Sequence, residues 1–162
     1  YPIECVQTMD KIATSIEASI KYWKRFRNRE CDFKDRNYEF KINHSVCSTA
    51  MNMEAKAIFA FTRAGDTPRM ISGFSPYCPI YAVTQDERTY RQLSLSWGVY
   101  PILITEEETV NQLLAKGIKQ VKAKGDLQEG DTIVIAGGAS VVPSTKDNED
   151  TINRTIGGVL KV

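Results

Sequence analysis

Three short runs, at residues 56–62, 80–84 and 99–105, are apolar at nearly every position, and stretches of helical spacing lie between them. A strand with one wet face alternates apolar and polar residues, whereas a strand covered on both faces is apolar throughout. These runs therefore read as buried parallel strands. The segments 68–74 and 86–97 between them, and 106–124 after the third, are then crossover helices, because parallel neighbours cannot be joined by a hairpin. Residues 131–136 predict a fourth strand and 154–162 a fifth. The polar stretch 137–153 between those two contains Gly137, Gly138 and Pro143, and a loop that long in a compact domain is often functional.

In the longest crossover helix Val110, Leu113, Leu114, Ile118 and Val121 form an apolar stripe. Glu106, Glu107 and Glu108 open it, and Lys119, Lys122 and Lys124 close it before Gly125, the charge order that the helix dipole favours. Ahead of the strands, Val6, Met9, Ala13, Ile16, Ile20 and Trp23 step by three and four, which predicts one helix over 3–27 with a buried side. Ile42, Val46, Ala50 and Met53 predict a second over 38–54. The 162 residues suit a single domain, with a helical segment at 1–54 and an α/β sheet core at 55–162.

Charge and cysteine content narrow the function classes. Twenty-one basic against twenty acidic side chains leave a net charge of +1, so no global field draws in nucleic acid or an anionic membrane. Lys21, Lys24, Arg25, Arg27 and Arg29 crowd around Tyr22, Trp23 and Phe26, a pattern expected of a solvated helix end whose cations meet the negative pole of the dipole. Cys5, Cys31, Cys47 and Cys78 are irregularly spaced and His44 is the single histidine, so no zinc motif is present and free thiols are expected. Cys47 and His44 lie three apart on a helix, yet nothing in their surroundings marks either as activated. No apolar run is long enough to span a bilayer and no signal peptide is expected, which points to the cytoplasm.

The first strand runs directly into Thr62, Arg63, Ala64, Gly65, Asp66, Thr67, Pro68 and Arg69. Thr67 suits a helix cap and Pro68 the next position, where no donor is needed. A helix opening at the carboxyl end of a parallel strand aims free amides and a positive pole at a ligand, and phosphate is the natural guest. The glycine spacing matches neither the dinucleotide fingerprint nor the lysine-bearing nucleotide loop, and capped helix starts are common in α/β proteins without a ligand, so plain structural capping is the alternative reading of this turn.

The order of these elements, with particular words in them, resembles the carboxyl-terminal domain of pyruvate kinase. The words are Tyr1, Pro2, Glu4, Val6, Met9 and Ile12 at the start; residues 62–72 and 79–84; Trp97, Gly98, Val99 and Pro101; Gly130, Asp131 and Thr132; and Asn153 with Thr155. The resemblance implies a three-layer α/β/α fold around a mostly parallel five-stranded sheet with an antiparallel last strand. It also implies a regulatory and oligomerisation domain of the enzyme that moves the phosphoryl group of phosphoenolpyruvate to ADP. Magnesium and potassium then belong to a β/α barrel outside these residues, and no cofactor, catalytic residue or metal ligand is expected in this chain. Its implied partners are that barrel, other subunits of a homotetramer, and a sugar-phosphate effector such as fructose 1,6-bisphosphate.

Carried over by position, Thr62, Arg63, Gly65 and Thr67 would hold the effector's phosphate, and Gly137 and Gly138 with the loop after them would close over the sugar. The chain departs from the family pattern in Arg63 and Ala64, where hydroxyl residues are frequent, in Asp66, and in Leu113, where some members carry a base. A carboxylate about 4 Å from an anion costs about 1 kcal/mol in water and about 4 kcal/mol at a protein surface. A helix start returns about 0.3–2 kcal/mol, so with Asp66 facing inward Arg63 is expected either to neutralise it or to supply a charge-assisted contact to the phosphate. The alternative class is an independent small α/β enzyme binding nucleotide or phosphate at the same turn, and a basic RNA-binding module on the first helix lacks the net charge and the aromatic stacking signature.

Overall fold

The computed structural model describes residues 1–28, 33, 34, 36–105, 110–137 and 156–162. It falls into two compact units, Tyr1–Glu30 and Cys31–Val162. In the first, helix α1 spans Pro2–Glu17 and helix α2 spans Tyr22–Asn28. The single helix expected over 3–27 is therefore two. The break has a local cause: the Ser19 hydroxyl and amide both donate to the Ile16 carbonyl, at 2.7 and 2.9 Å, and the Ile20 amide turns to Glu17 instead. A serine side chain competing for a main-chain acceptor ends the ladder. Nor is the apolar stripe of α1 buried, since Val6, Met9 and Ile16 are 65%, 68% and 54% exposed.

The second unit begins with helix α3 (Tyr38–Asn52), capped by Asn37, whose side chain accepts from the Phe40 amide at 2.9 Å. Then strand β1 (Ala57–Phe61), helix α4 (Asp66–Gly73), strand β2 (Ile80–Thr84), helix α5 (Glu87–Leu93) and strand β3 (Val99–Leu103) follow in alternation. Helix α6 (Val110–Ala123), strand β4 (Thr132–Gly137) and strand β5 (Ile156–Lys161) complete it. The start of the acidic helix at 106–108 lies outside the described residues.

The five strands form one sheet in the order β3-β2-β1-β4-β5. All pairs are parallel except the last, where β5 runs against β4 with Val159 opposite Val134. Every residue of β1 and of β2 is buried, as their unbroken apolar character requires. Phe59, Phe61, Tyr81, Val83 and Ile133 meet Leu113 and Val121 of α6 on one face. Helices α4 and α5 pack against β1, β2 and β3, and α3 packs against α4 and β4.

The layering follows from the hand of parallel crossovers. The chain steps from β1 through α4 to β2 and through α5 to β3 in one direction across the sheet, then returns through α6 to β4 on the other side of β1. Right-handed connections place helices on opposite faces when the direction reverses, giving three layers. Helix α6 comes close because of Gly117: a Cβ there would sit 3.3 Å from Val83 Cγ2 and 3.6 Å from Phe59 Cε1. Gly117→Leu should force α6 off the sheet and destabilise the chain by about 1–3 kcal/mol in urea denaturation.

Candidate functional site

The register of β1 decides which loops meet. Phe61, its last residue, pairs with Val83 on one side and with Gly137 on the other. The carboxyl ends of three strands thus lie side by side, and the crossover direction reverses between β1 and β4. Ligands of open α/β sheets bind at such a reversal. Thr62, Arg63, Gly65, Thr67 and Gly137 are all brought to this edge, and Gly138 lies outside the described residues.

The turn after β1 is built by side chains reaching back to the main chain. Thr62 is buried, its amide donating to the Val83 carbonyl at 3.0 Å and its Oγ1 accepting from the Gly65 amide at 2.8 Å. Gly65 sits at φ 91° and is the N-cap of α4, so the helix starts at Asp66. The cap expected at Thr67 is corrected accordingly. Thr67 is the second helical residue and Pro68 the third, because Thr62 and a left-handed glycine have already turned the chain. The amides of Asp66 and Thr67 belong to the first turn and have no acceptor within the helix.

Arg69, not Arg63, meets Asp66. Its Nη1 lies 3.6 Å from Asp66 Oδ1 and donates to the Ala64 carbonyl at 3.2 Å, while Nη2 donates to Gln92 Oε1 at 3.0 Å. The guanidinium also lies over Gly65, where a Cβ would stand 3.1 Å away. The signal for this pairing was the i, i+3 spacing of Asp66 and Arg69 on one helix face.

The turn after β2 is tied to the same place. The Thr84 Oγ1 accepts from the Asp86 amide at 3.2 Å, and the Asp86 carboxylate caps α5 by accepting from the Thr89 amide at 2.6 Å. Thr89 Oγ1 in turn donates to the Arg63 carbonyl at 2.9 Å, so one threonine joins both turns. Hydrogen bonding from Thr89, aided by the nearby Arg88 and Arg63 charges, holds the Asp86 carboxyl below the usual carboxylate range. Sequence reasoning missed Thr84, Asp86 and Thr89 as site residues, although an Asp immediately before a helical run, as at Asp86, is an N-cap signal.

Between the two turns lies a cavity of about 330 Å³ whose floor is Phe61, Val83 and Leu113. Its polar rim is Thr62, Arg63, Thr84, Gln85 and Asp86. A second, apolar groove of about 500 Å³ runs where Ile42, Val46 and Thr49 of α3 meet Val134 and Val159 of the sheet.

Among the described residues, neither Cys47, Cys78 nor His44 is placed as an activated nucleophile or base. Burial pushes the Cys47 thiol up, with the neighbouring Cys78 adding to it, and pushes the Cys78 thiol up to about 12. His44 packs edge-on against Phe33 and Phe74, with ring centroids 4.9 and 5.4 Å away, and burial lowers its pKa. Among the described residues no group of three or more His, Cys, Asp or Glu side chains is placed to hold a metal, and no helix is long and apolar enough to cross a membrane.

Two outcomes test this geometry. Gly65→Ala should cost about 1–3 kcal/mol by combining a left-handed backbone with contact against Arg69; an unchanged midpoint in denaturant would contradict it. Iodoacetamide at pH 8, followed by peptide mass mapping of the native chain, should label exposed Cys5 and spare Cys47 and Cys78, whose thiols stay protonated.

Comparison with known proteins bears on this site. The model of the family described as pyruvate kinase, alpha/beta domain, matches residues 41–152. The chain is 37% identical over 141 residues to a pyruvate kinase of Sporosarcina psychrophila, covering 87% of this chain and 24% of that protein. It is also 37% identical over 138 residues to one of Clostridium acetobutylicum, covering 85% and 29% respectively. The chain therefore spans about a quarter of the length of these curated relatives. A solved structure described as Cryptosporidium parvum pyruvate kinase in complex with ADP has the same fold, with a TM-score of 0.79 over 99% of this chain and 31% of its own, at 20% identity.

Proposed function

This chain belongs to the pyruvate kinase family, in its alpha/beta domain, and we propose that it serves that enzyme as a regulatory and assembly domain. The parent reaction is phosphoryl transfer from phosphoenolpyruvate to ADP in the cytoplasm. In this reading the chain is inactive alone, because the positioned cations and metal clamps of phosphoryl transfer, here magnesium and potassium, reside in a catalytic barrel. The exposed apolar stripe of α1 supports that reading, since such a stripe calls for a covering surface. The barrel is its proposed cover, and other subunits of a homotetramer are the further partners.

The proposed effector site is the edge where Thr62, Arg63, Gly65, Thr67 and Gly137 meet, with Gly138 beyond the described residues. The observation that carries it is the pairing of Phe61 with both Val83 and Gly137, which brings the turn leading into α4 to the reversal point of the sheet, while a cavity lined by Thr62 and Arg63 opens on its β2 side. A phosphate there accepts from the Asp66 and Thr67 amides and the Thr67 hydroxyl, and the Arg63 guanidinium adds a charge-assisted contact. Arg69 offsets the Asp66 carboxylate, the term that otherwise opposes an anion at this helix start.

Calorimetry tests the reading. Fructose 1,6-bisphosphate, ribose 5-phosphate, AMP and ATP are titrated into the chain and into Thr67→Ala. A sugar phosphate should bind, and Thr67→Ala should weaken it about tenfold or more through loss of one hydrogen bond to a charged group. Binding of nucleotide alone, accompanied by turnover, would favour an independent small α/β enzyme instead.

A further inference from the structure

We propose that the cavity between the turns after β1 and β2 binds a small zwitterion, an amino acid with an apolar side chain. Its carboxylate lies on Arg63, its ammonium on Asp86, and its side chain over Phe61, Val83 and Leu113.

The cavity carries one charge of each sign. Among its lining residues Arg63 is the cation and Asp86 the anion, and they come from different turns. They act on each other through space without closing: the Arg63 charge helps to lower the Asp86 carboxyl, yet neither residue is in an ion pair among the described residues. Opposite charges held apart across a cavity match a ligand that carries the complementary pair. A guanidinium fork takes a carboxylate through two parallel bonds, and a carboxylate takes an ammonium through a charge-assisted one. The Thr89 amide occupies Asp86 Oδ2 and its hydroxyl is turned to the Arg63 carbonyl, which leaves Asp86 Oδ1 to the ammonium. Arg88 also acts on Asp86 but does not line the cavity, so the charges within it balance and a ligand of zero net charge suits them.

Size and floor narrow the class further. A volume of about 330 Å³ suits one amino acid, near the lower end for ligand cavities. Phe61, Val83 and Leu113 offer the floor no hydrogen-bonding side chain, which favours a hydrocarbon group over a polar one. Thr89 joins the two turns, the Asp86 carboxylate on one side and the Arg63 carbonyl on the other, and so fixes the separation of the poles. Asp66 and Thr67, whose amides carry the phosphate reading, do not line this cavity. The proposal therefore stands apart from that reading, with Arg63 the charged group common to both.

The test compares one carbon skeleton in three charge states. L-Valine, isobutylamine, which lacks the carboxylate, and isovalerate, which lacks the ammonium, are titrated into nitrogen-15-labelled chain at one pH and ionic strength. L-Valine should shift the Arg63, Gln85 and Asp86 amides saturably and bind about tenfold or more tighter than either analogue, since each lacks one charged contact. Arg63→Gln and Asp86→Asn should each weaken L-valine about tenfold or more; Asp86→Asn keeps the helix cap, because Asn caps as well as Asp. It should leave isovalerate binding unchanged. An analogue that binds as tightly as L-valine, full L-valine affinity in Asp86→Asn with a native amide spectrum, or no saturable response to L-valine overturns the proposal. None of these results bears on binding of ribose 5-phosphate at the α4 start.

Discussion

Strand β1 is hydrogen-bonded along both edges to parallel neighbours, β2 and β4, and buried on both faces. A parallel ladder cannot close through a hairpin, so each neighbour has to be reached by a crossover through a helix. With β2 and β4 on opposite sides of β1, the crossovers are driven to opposite faces of the sheet. The three layers, the central core and the reversal point all follow from the placement of this one strand. So does the location of the candidate site, because the same ladder that aligns Phe61 with Val83 aligns it with Gly137.

What the ladder brings together, a few side chains hold in shape. Thr62 takes up the Gly65 amide, Asp86 takes up the Thr89 amide, and Thr89 hands its hydroxyl to the Arg63 carbonyl. These bonds use short side chains with little rotamer freedom, so the turns are ordered at a small entropic cost. Arg69 plays a different part, spanning Asp66, Ala64 and Gln92 and covering Gly65. The acid beside the proposed anion site is thus paired with Arg69 and not with Arg63.

Strands were legible because burial on both faces writes itself directly into composition. The expected run 80–84 coincides with β2, and the runs for β1, β3 and β4 differ from the strands by one or two residues at their ends. The antiparallel last strand, by contrast, came from resemblance alone, since its direction depends on pairing with β4 and not on any local signal. Helix starts and stops were less legible. The end of α1 hangs on which donor wins the Ile16 carbonyl, and the start of α4 on a buried Thr62 hydroxyl three residues away from its partner. Periodicity also misread the fate of the α1 stripe: it reports that a helix has an apolar side, and Val6, Met9 and Ile16 stay exposed all the same. Of the site, the turn was visible from its glycine and threonines, whereas the contribution of Asp86 depends on β2 ending beside β1, a tertiary fact.

The central claim is that ligand recognition occurs at the carboxyl edge of β1 and not in the apolar groove between α3 and the sheet. Amide chemical shifts in a nitrogen-15 NMR titration with ribose 5-phosphate separate the two most directly. The account predicts the largest, saturable changes at Asp66, Thr67 and Gly137, with Lys41, Thr49 and Val159 unmoved. Changes centred on those last three, or a spectrum that does not respond, would contradict it.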